Sequence, residues 1–200
     1  MPSRRTLLKA GFAAYILPRA IPTNHKANVA PRVGEKPVEV HHIYRVVSDR
    51  RFAQSVAFSL EAERLGAVPV QIVGDITELW FNDLSLRWKE RPYPIAGLTA
   101  YGPIFCLERL AWDYGLRVVF RSEHQVLDQT HVQHSVTGPP AAVARASFLA
   151  SEDSDWGRRV ARLVLACELG RHKCETATMT SLSYCRSNEP QEPLTSWVIA

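Results

Sequence analysis

Four residues carry the groups that acid–base chemistry needs: Asp49, Asp75, Glu123 and His124. Each sits at or just beyond the carboxyl end of an apolar run that reads as a strand: 38–48, 68–73 and 116–120. A carboxylate that orients an imidazole makes that imidazole a general base, and residues at strand ends can converge on one substrate. Gly74 would let a ligand approach the backbone, with the hydroxyls of Thr77 and Thr99 as further contacts. Local structure competes for the same residues. Asp49 can cap the helix that follows it, as Asp75 or Thr77 can cap the next, with Glu78 favourable in the first turn.

The stretch 123–134 holds three of the seven histidines, His124, His131 and His134, together with Glu123 and Asp128. If it is helical, His131 and His134 share a face with Leu127 or Asp128. The spacing matches no established ligand motif such as His-Glu-x-x-His, so no metal site is assigned and a solvated helix face is expected. Cys106 falls in the first turns of a predicted helix, and with no partner histidine assignable it reads as an inert buried thiol. Neither a glycine-rich dinucleotide fingerprint nor a phosphate loop is present.

The elements that would position these residues alternate in type. Strand candidates at 38–48, 68–73 and 116–120 are separated by helical patterns at 50–65, 77–90 and 100–114, and Gly66 and Gly115 stand where helices stop. Such alternation predicts an α/β fold with a mainly parallel sheet in three layers, a β-α-β-α-α-β core whose ligands lie beyond the carboxyl strand ends. Residues 91–98, with three of the prolines and glycines that mark loops, read as a connector or a lid before a helix capped by Thr99. Trp80 and Trp88 in one helix point to core or to a subunit contact. Beyond Gly138-Pro139-Pro140, helices are expected at 141–150 and 156–169, then strands at 175–184 and 194–200. These two extend the sheet, one of them antiparallel at an edge.

The net charge of +4 is concentrated at one end: Arg4, Arg5, Lys9, Arg19 and Lys26 lie in the first thirty residues with no acid, and without those five charges the rest carries −1. A nearly neutral body with no basic patch argues against a nucleic-acid partner. No apolar run reaches the ~18 residues of a spanning helix, so no transmembrane anchor is expected in the mature chain. Ser3-Arg4-Arg5-Thr6-Leu7-Leu8-Lys9 resembles the bacterial twin-arginine translocation (Tat) signal, with Leu7 where phenylalanine is commonest. The resemblance implies a leader at 1–30 and a linker at 31–38, followed by a single α/β domain at 39–200. It implies export to the periplasm through the Tat machinery, with Arg4 and Arg5 as the recognised pair. Passengers of that route fold before crossing and often carry a cofactor or travel with a partner that does. In that oxidising compartment a Cys174–Cys185 disulfide is expected. The body resembles exported bacterial proteins that carry no assigned activity, which implies neither a reaction nor a cofactor.

Three functions fit this reading. The favoured one is a binding or accessory subunit of an exported, cofactor-bearing redox enzyme. A small enzyme built on Asp49, Asp75, Glu123 and His124 and a ligand-free assembly factor are the others. The subunit reading predicts an exposed apolar patch at Trp80 and Trp88.

Overall fold

A computed structural model describes residues 42–150, 155–170, 172–182 and 192–200. The leader, Arg4 and Arg5, the linker and Cys185 lie outside the described residues.

Val46, Val47 and Ser48 begin the chain's core in β1 (Arg45–Asp49), whose last four residues are all buried. Helix α1 (Ala53–Arg64) ends at Leu65, and Gly66 follows with φ 90°, a left-handed conformation that glycine adopts without Cβ strain. The chain returns in β2 (Pro69–Ile72), parallel to β1 with Ser48 opposite Gln71. Pro69, which has no N–H to donate, is tolerated because β2 is an edge strand. A short α2 (Thr77–Leu79), a π-helical turn (Trp80–Leu84) and α3 (Ser85–Glu90) then lead to β3 (Ile95–Ala100) on the other side of β1. Next come α4 (Tyr101–Trp112) and β4 (Val118–Val126).

Among the described residues seven strands form one sheet, ordered β2-β1-β3-β7-β4-β5-β6, with β5 at His131–Gly138, β6 at Glu175–Leu182 and β7 at Leu194–Ile199. The fold is α/β, but the sheet is mixed and not mainly parallel. Only β2-β1-β3 pair in parallel; every ladder from β3 onward is antiparallel. The alternation of strands and helices did set direction, since β4 runs the same way as β1–β3. What it could not set was the neighbour. The last strand, β7, inserts antiparallel between β3 and β4, pairing Gly97 with Trp197 and Ser122 with Ser196. Of the two late strands β6 is the edge and β7 is central, buried at all six positions.

Two further expectations change. Residues 95–98 are no lid: they are the start of β3, buried throughout between β1 and β7. The polar stretch 123–134 is not helical but a hairpin, in which β4 and β5 pair His124 with His134 across the ladder. Its turn is held by Asp128, whose Oδ1 accepts the N–H groups of Thr130 at 2.7 Å and His131 at 2.9 Å. The inward residues Val132, His134 and Val136 alternate with partly exposed ones, the strand period.

Two apolar cores flank the sheet. One lies between the face bearing Val46, Leu98, Phe120, Val136 and Val198 and the helices α1, α5 (Pro140–Arg145) and α6 (Trp156–Leu165). There Gly157 presses on α1 so closely that a Cβ would sit 2.1 Å from the Gln54 carbonyl oxygen. Beside it the buried Glu61 carboxylate accepts from Arg64 at 2.7 Å and Arg162 at 2.8 Å. Burial alone would raise the Glu61 pKa, but these two guanidiniums bring it below its ordinary value. The other core packs Val47, Ile95, Trp197 and Ile199 against Leu79, Leu84, Trp88, Ile104 and Leu107. This second core covers β2-β1-β3-β7 and reaches β4 at Val118, its first residue. The same face of β4, β5 and β6 carries exposed or partly exposed residues.

Candidate binding groove beside the second strand

The carboxyl end of β2 is where local chemistry is most constrained. Gly74 turns the chain with φ 71°. Asp75 follows and its Oδ1 accepts the Thr77 N–H at 2.7 Å, starting α2. The Thr77 bonds hold the Asp75 pKa below the ordinary aspartate value. The π-helical turn then shifts the register by one residue, a device concentrated at functional sites. Its structural gain is visible: Asp83 reaches back to β1 and accepts from Tyr44 Oη and Arg45 Nε, both at 2.6 Å. Its other result is that Phe81, the residue after Trp80, is 65% exposed.

Phe81 and Asn82 overhang a groove of about 830 Å³ that runs along β2. Val70, Ile72, Val73 and Leu79 supply its apolar lining; Asp75, Glu78, Asp83 and Arg50 are its charged lining. Val73 is half exposed at 51%. The groove lies against the free edge of the sheet. Because Val68 and Ile72 offer their carbonyls to the N–H groups of Val46 and Arg50, the N–H and C=O of the intervening Gln71 point away from β1.

Of the two parts expected of the tryptophans, core and subunit contact, they take the first, and the exposed patch predicted at them by the subunit reading is absent. Trp88 is buried and donates its indole N–H to the Tyr93 carbonyl at 3.0 Å, while Trp80 packs edge-on against it with a 6.0 Å centroid separation. Both also contact Tyr114. They are core of the monomer, and the exposed apolar group of this segment is Phe81.

The four acid–base candidates do not meet. Asp49 is buried, and its carboxylate is taken by Arg51 through Nε at 3.0 Å and Nη2 at 2.8 Å. That guanidinium lies over Gly74, where a Cβ would stand 2.8 Å from Cζ, so Gly74 admits an arginine of the chain itself. Asp75 lines the groove by β2. Glu123 faces a separate hollow of about 500 Å³ with Tyr101, Gly102, Gln125, Glu192, Pro193 and Thr195. His124, though next in sequence, points to the opposite face, as the strand period requires.

There His124 and His134 form a buried pair, Nδ1 to Nδ1 at 2.6 Å, with Ser196 Oγ 2.9 Å from His124 Nε2 and Ser181 Oγ 2.7 Å from His134 Nε2. One Nδ1 must donate and the other accept, so the two neutral rings hold opposite tautomers and their serines take opposite roles. Trp156 of α6 closes over both rings at 4.6 and 5.3 Å. Burial, with the neighbouring His134, pushes the His124 pKa well below its ordinary value. Burial, with the charge of Arg159, lowers His134 to about 4.

Thr77 lines the groove, whereas Thr99 is buried in β3, receiving the Trp197 indole N–H at 3.2 Å. It does not cap α4, whose capping position is Ala100. Cys106 is exposed rather than buried, Cys174 is an exposed free thiol, and burial drives the Cys167 thiol up to about 12. Among the described residues no three His, Cys, Asp or Glu side chains gather at one point, and no helix is long and apolar enough to cross a membrane. Sequence reasoning missed Phe81 and Arg50, although the polar Asn82-Asp83 beside Phe81 was a sign that the apolar helical stripe breaks there. Comparison with known proteins finds no matching family model, no matching curated protein and no matching solved structure.

Proposed function

We propose that the chain is an exported binding protein that serves as accessory subunit to a partner, and that it holds an extended segment of that partner in the groove along β2. The exposed Phe81 at the groove mouth carries this reading. A phenylalanine 65% exposed beside a half-exposed valine, over an apolar wall, is the anchor geometry of a protein–protein contact. The N–H and C=O of Gln71, directed away from β1, suit an extended backbone laid against the strand. Asp75 and Glu78, with Arg50 the one cation among the described lining residues, suit a segment that places a lysine or arginine beside an apolar residue. The twin-arginine resemblance at Ser3–Lys9 supports the remainder of the proposal: a periplasmic location, delivery by the Tat machinery and a cofactor-bearing redox enzyme as partner.

The acid–base alternative needs its four residues at one substrate, and Asp49, Asp75, Glu123 and His124 face four different surroundings. The test is native mass spectrometry of the protein recovered from the periplasm. The expected result is a stoichiometric complex that Phe81→Asp abolishes while the circular dichroism spectrum is unchanged. A bare monomer for both proteins removes the subunit reading. Replacing Arg4 and Arg5 with lysine is expected to leave the chain in the cytoplasm; an unchanged periplasmic yield overturns export.

A further inference from the structure

Helix α4 (Tyr101–Trp112) buries Pro103, Ile104, Leu107 and Ala111 and carries a second stripe on its outer side. That stripe is aromatic: Tyr101 is 59% exposed, Phe105 41% and Trp112 42%. Their spacing puts all three on one side of the helix, over roughly 16 Å of its length. Tyr101 packs on Phe105 with ring centroids 5.9 Å apart. The Arg109 guanidinium joins Phe105 to Trp112, 5.3 and 4.2 Å from their ring centroids. None of the exposed positions within α4 is a lysine, aspartate or glutamate. Aromatic rings and arginine without lysine or acids make up the buried centre of a protein interface, not a solvated helix face.

The two ends of the stripe differ in charge. At the amino end Tyr101 and Gly102 border the hollow of about 500 Å³ that also holds Glu123 and Glu192. Arg51 comes within 3.9 Å of Glu192 but is committed to Asp49 at 2.8 Å, and Glu123 has no ion pair among the described residues. At the carboxyl end stand Arg109 and Arg117, with Asp113 beside them. Arg117 lies 5.8 Å from the Trp112 ring and donates to the Leu116 carbonyl at 2.7 Å. A surface with an acidic end, an aromatic middle and a basic end matches itself when turned through half a circle.

We infer that α4 pairs with α4 of a second copy of this chain, antiparallel about a two-fold axis, so that Arg117 of each copy enters the acidic hollow of the other. A two-fold contact requires one patch to complement itself. With the axis level with Cys106 and Leu107, Tyr101 meets Trp112 of the second copy and Phe105 meets Arg109. Gly102 and Cys106 flank the rings and are small enough to let the helix axes approach to about 8–10 Å. A partner of other sequence would have to supply the aromatic stripe and the basic end in this order, and the chain itself supplies both. The pair reaches the lower bound of specific interfaces, about 1,000 Å² in total, so the association is weak and reversible. It shares no residue with the groove along β2, and Phe81→Asp is expected to leave it intact.

Sedimentation velocity of the full chain under reducing conditions, from micromolar to millimolar concentration, tests the inference. A monomer–dimer equilibrium is expected. Phe105→Glu and, separately, Arg117→Glu should each weaken it at least tenfold at an unchanged melting temperature. Adding Glu123→Arg to Arg117→Glu should restore it, because both contacts of a two-fold pair are then reversed together. Oxidation with diamide is expected to link two copies through Cys106, read by peptide mass spectrometry. A monomer at every concentration overturns the inference. So do a dimer that survives Phe105→Glu, a double charge reversal that fails to restore Arg117→Glu, and a crosslink that runs through Cys174 alone.

Discussion

The two halves of the sheet are built from the same kind of strand under different cover. In β3 and β7 every residue is buried, because helices close both faces. In β5 buried and partly exposed residues alternate, because α5 and α6 close only one. A strand covered on both sides leaves a ligand only its ends and edges, which is why the groove of the parallel half lies along β2. A strand covered on one side offers a whole face. The polar requirements differ in the same way. The parallel half buries its backbone between apolar layers, whereas the antiparallel half buries two histidines and must satisfy each of their nitrogens.

The largest expected effect is at Gly97, where the two-sided cover is tightest. A Cβ there would stand 2.5 Å from Trp197 Cζ2 and 2.7 Å from the Val47 carbonyl oxygen. Backbone on one side and a buried indole on the other leave little room to give, so Gly97→Ala is expected to cost about 3 kcal/mol or more. Urea denaturation checks this; a loss below about 1 kcal/mol would mean the doubly covered half is looser than the packing implies.

The histidine pair comes next and acts through pH. Both folded pKa values lie below the ordinary histidine value, so the unfolded chain binds protons that the folded pair refuses. Stability is therefore level above about pH 6.5 and falls as the pH drops from there toward about 4, by up to about 1.4 kcal/mol per pH unit for each refused proton. The groups facing the pair are Ser196 and Ser181 within the sheet and Trp156 and Arg159 from α6. His134→Leu is expected to cost about 2 kcal/mol at pH 7, since it strands His124 Nδ1 and the Ser181 hydroxyl, and to flatten the acid slope. Trp156 fluorescence followed from pH 7 to 4 reads both effects, and an acid slope unchanged in the variant would show that other groups set it.

The smallest effect is on the bare face. Thr178→Ala removes an exposed hydroxyl and is expected to change stability by no more than about 0.5 kcal/mol, measured by the same urea titration. A larger loss would mean that the exposed face of β6 contributes to folding.

Particular residues show what could be read in advance. Ile104 and Leu107 of α4 lie at helical spacing and face the sheet as that spacing requires; in α1 the stripe read as Phe52, Val56 and Leu60 fails at Leu60, which is exposed, while Phe58 and Ala62 are buried. Gly66 and Gly115 end α1 and α4 where a stop was expected, both with positive φ. Residues 95–98 misled because Pro92 and Pro94 signal a loop, while the buried character of Ile95-Ala96-Gly97-Leu98 depends on two strands distant in sequence. His134 misled because a histidine at an inward position counts as polar in any pattern, yet a second histidine across the ladder satisfies it. Of the candidate site residues, Asp75 and Thr77 line the groove; Asp49 is taken by Arg51 two residues on, while Gly74 and Thr99 answer to Arg51 and Trp197, contacts that no local window contains.

By itself the sequence determined that β1, β2 and β4 are strands running one way and where α1 and α4 end, but neither β3 nor β5. These depend on local periodicity, on glycine's conformational freedom and on short crossovers. Only the tertiary structure decided that β7 would enter between β3 and β4, that His124 would meet His134, and which face of β4–β6 the helices α5 and α6 would cover. Those outcomes depend on hydrogen-bond partners and buried surface contributed by residues far apart along the chain, so no window of neighbouring residues carries them.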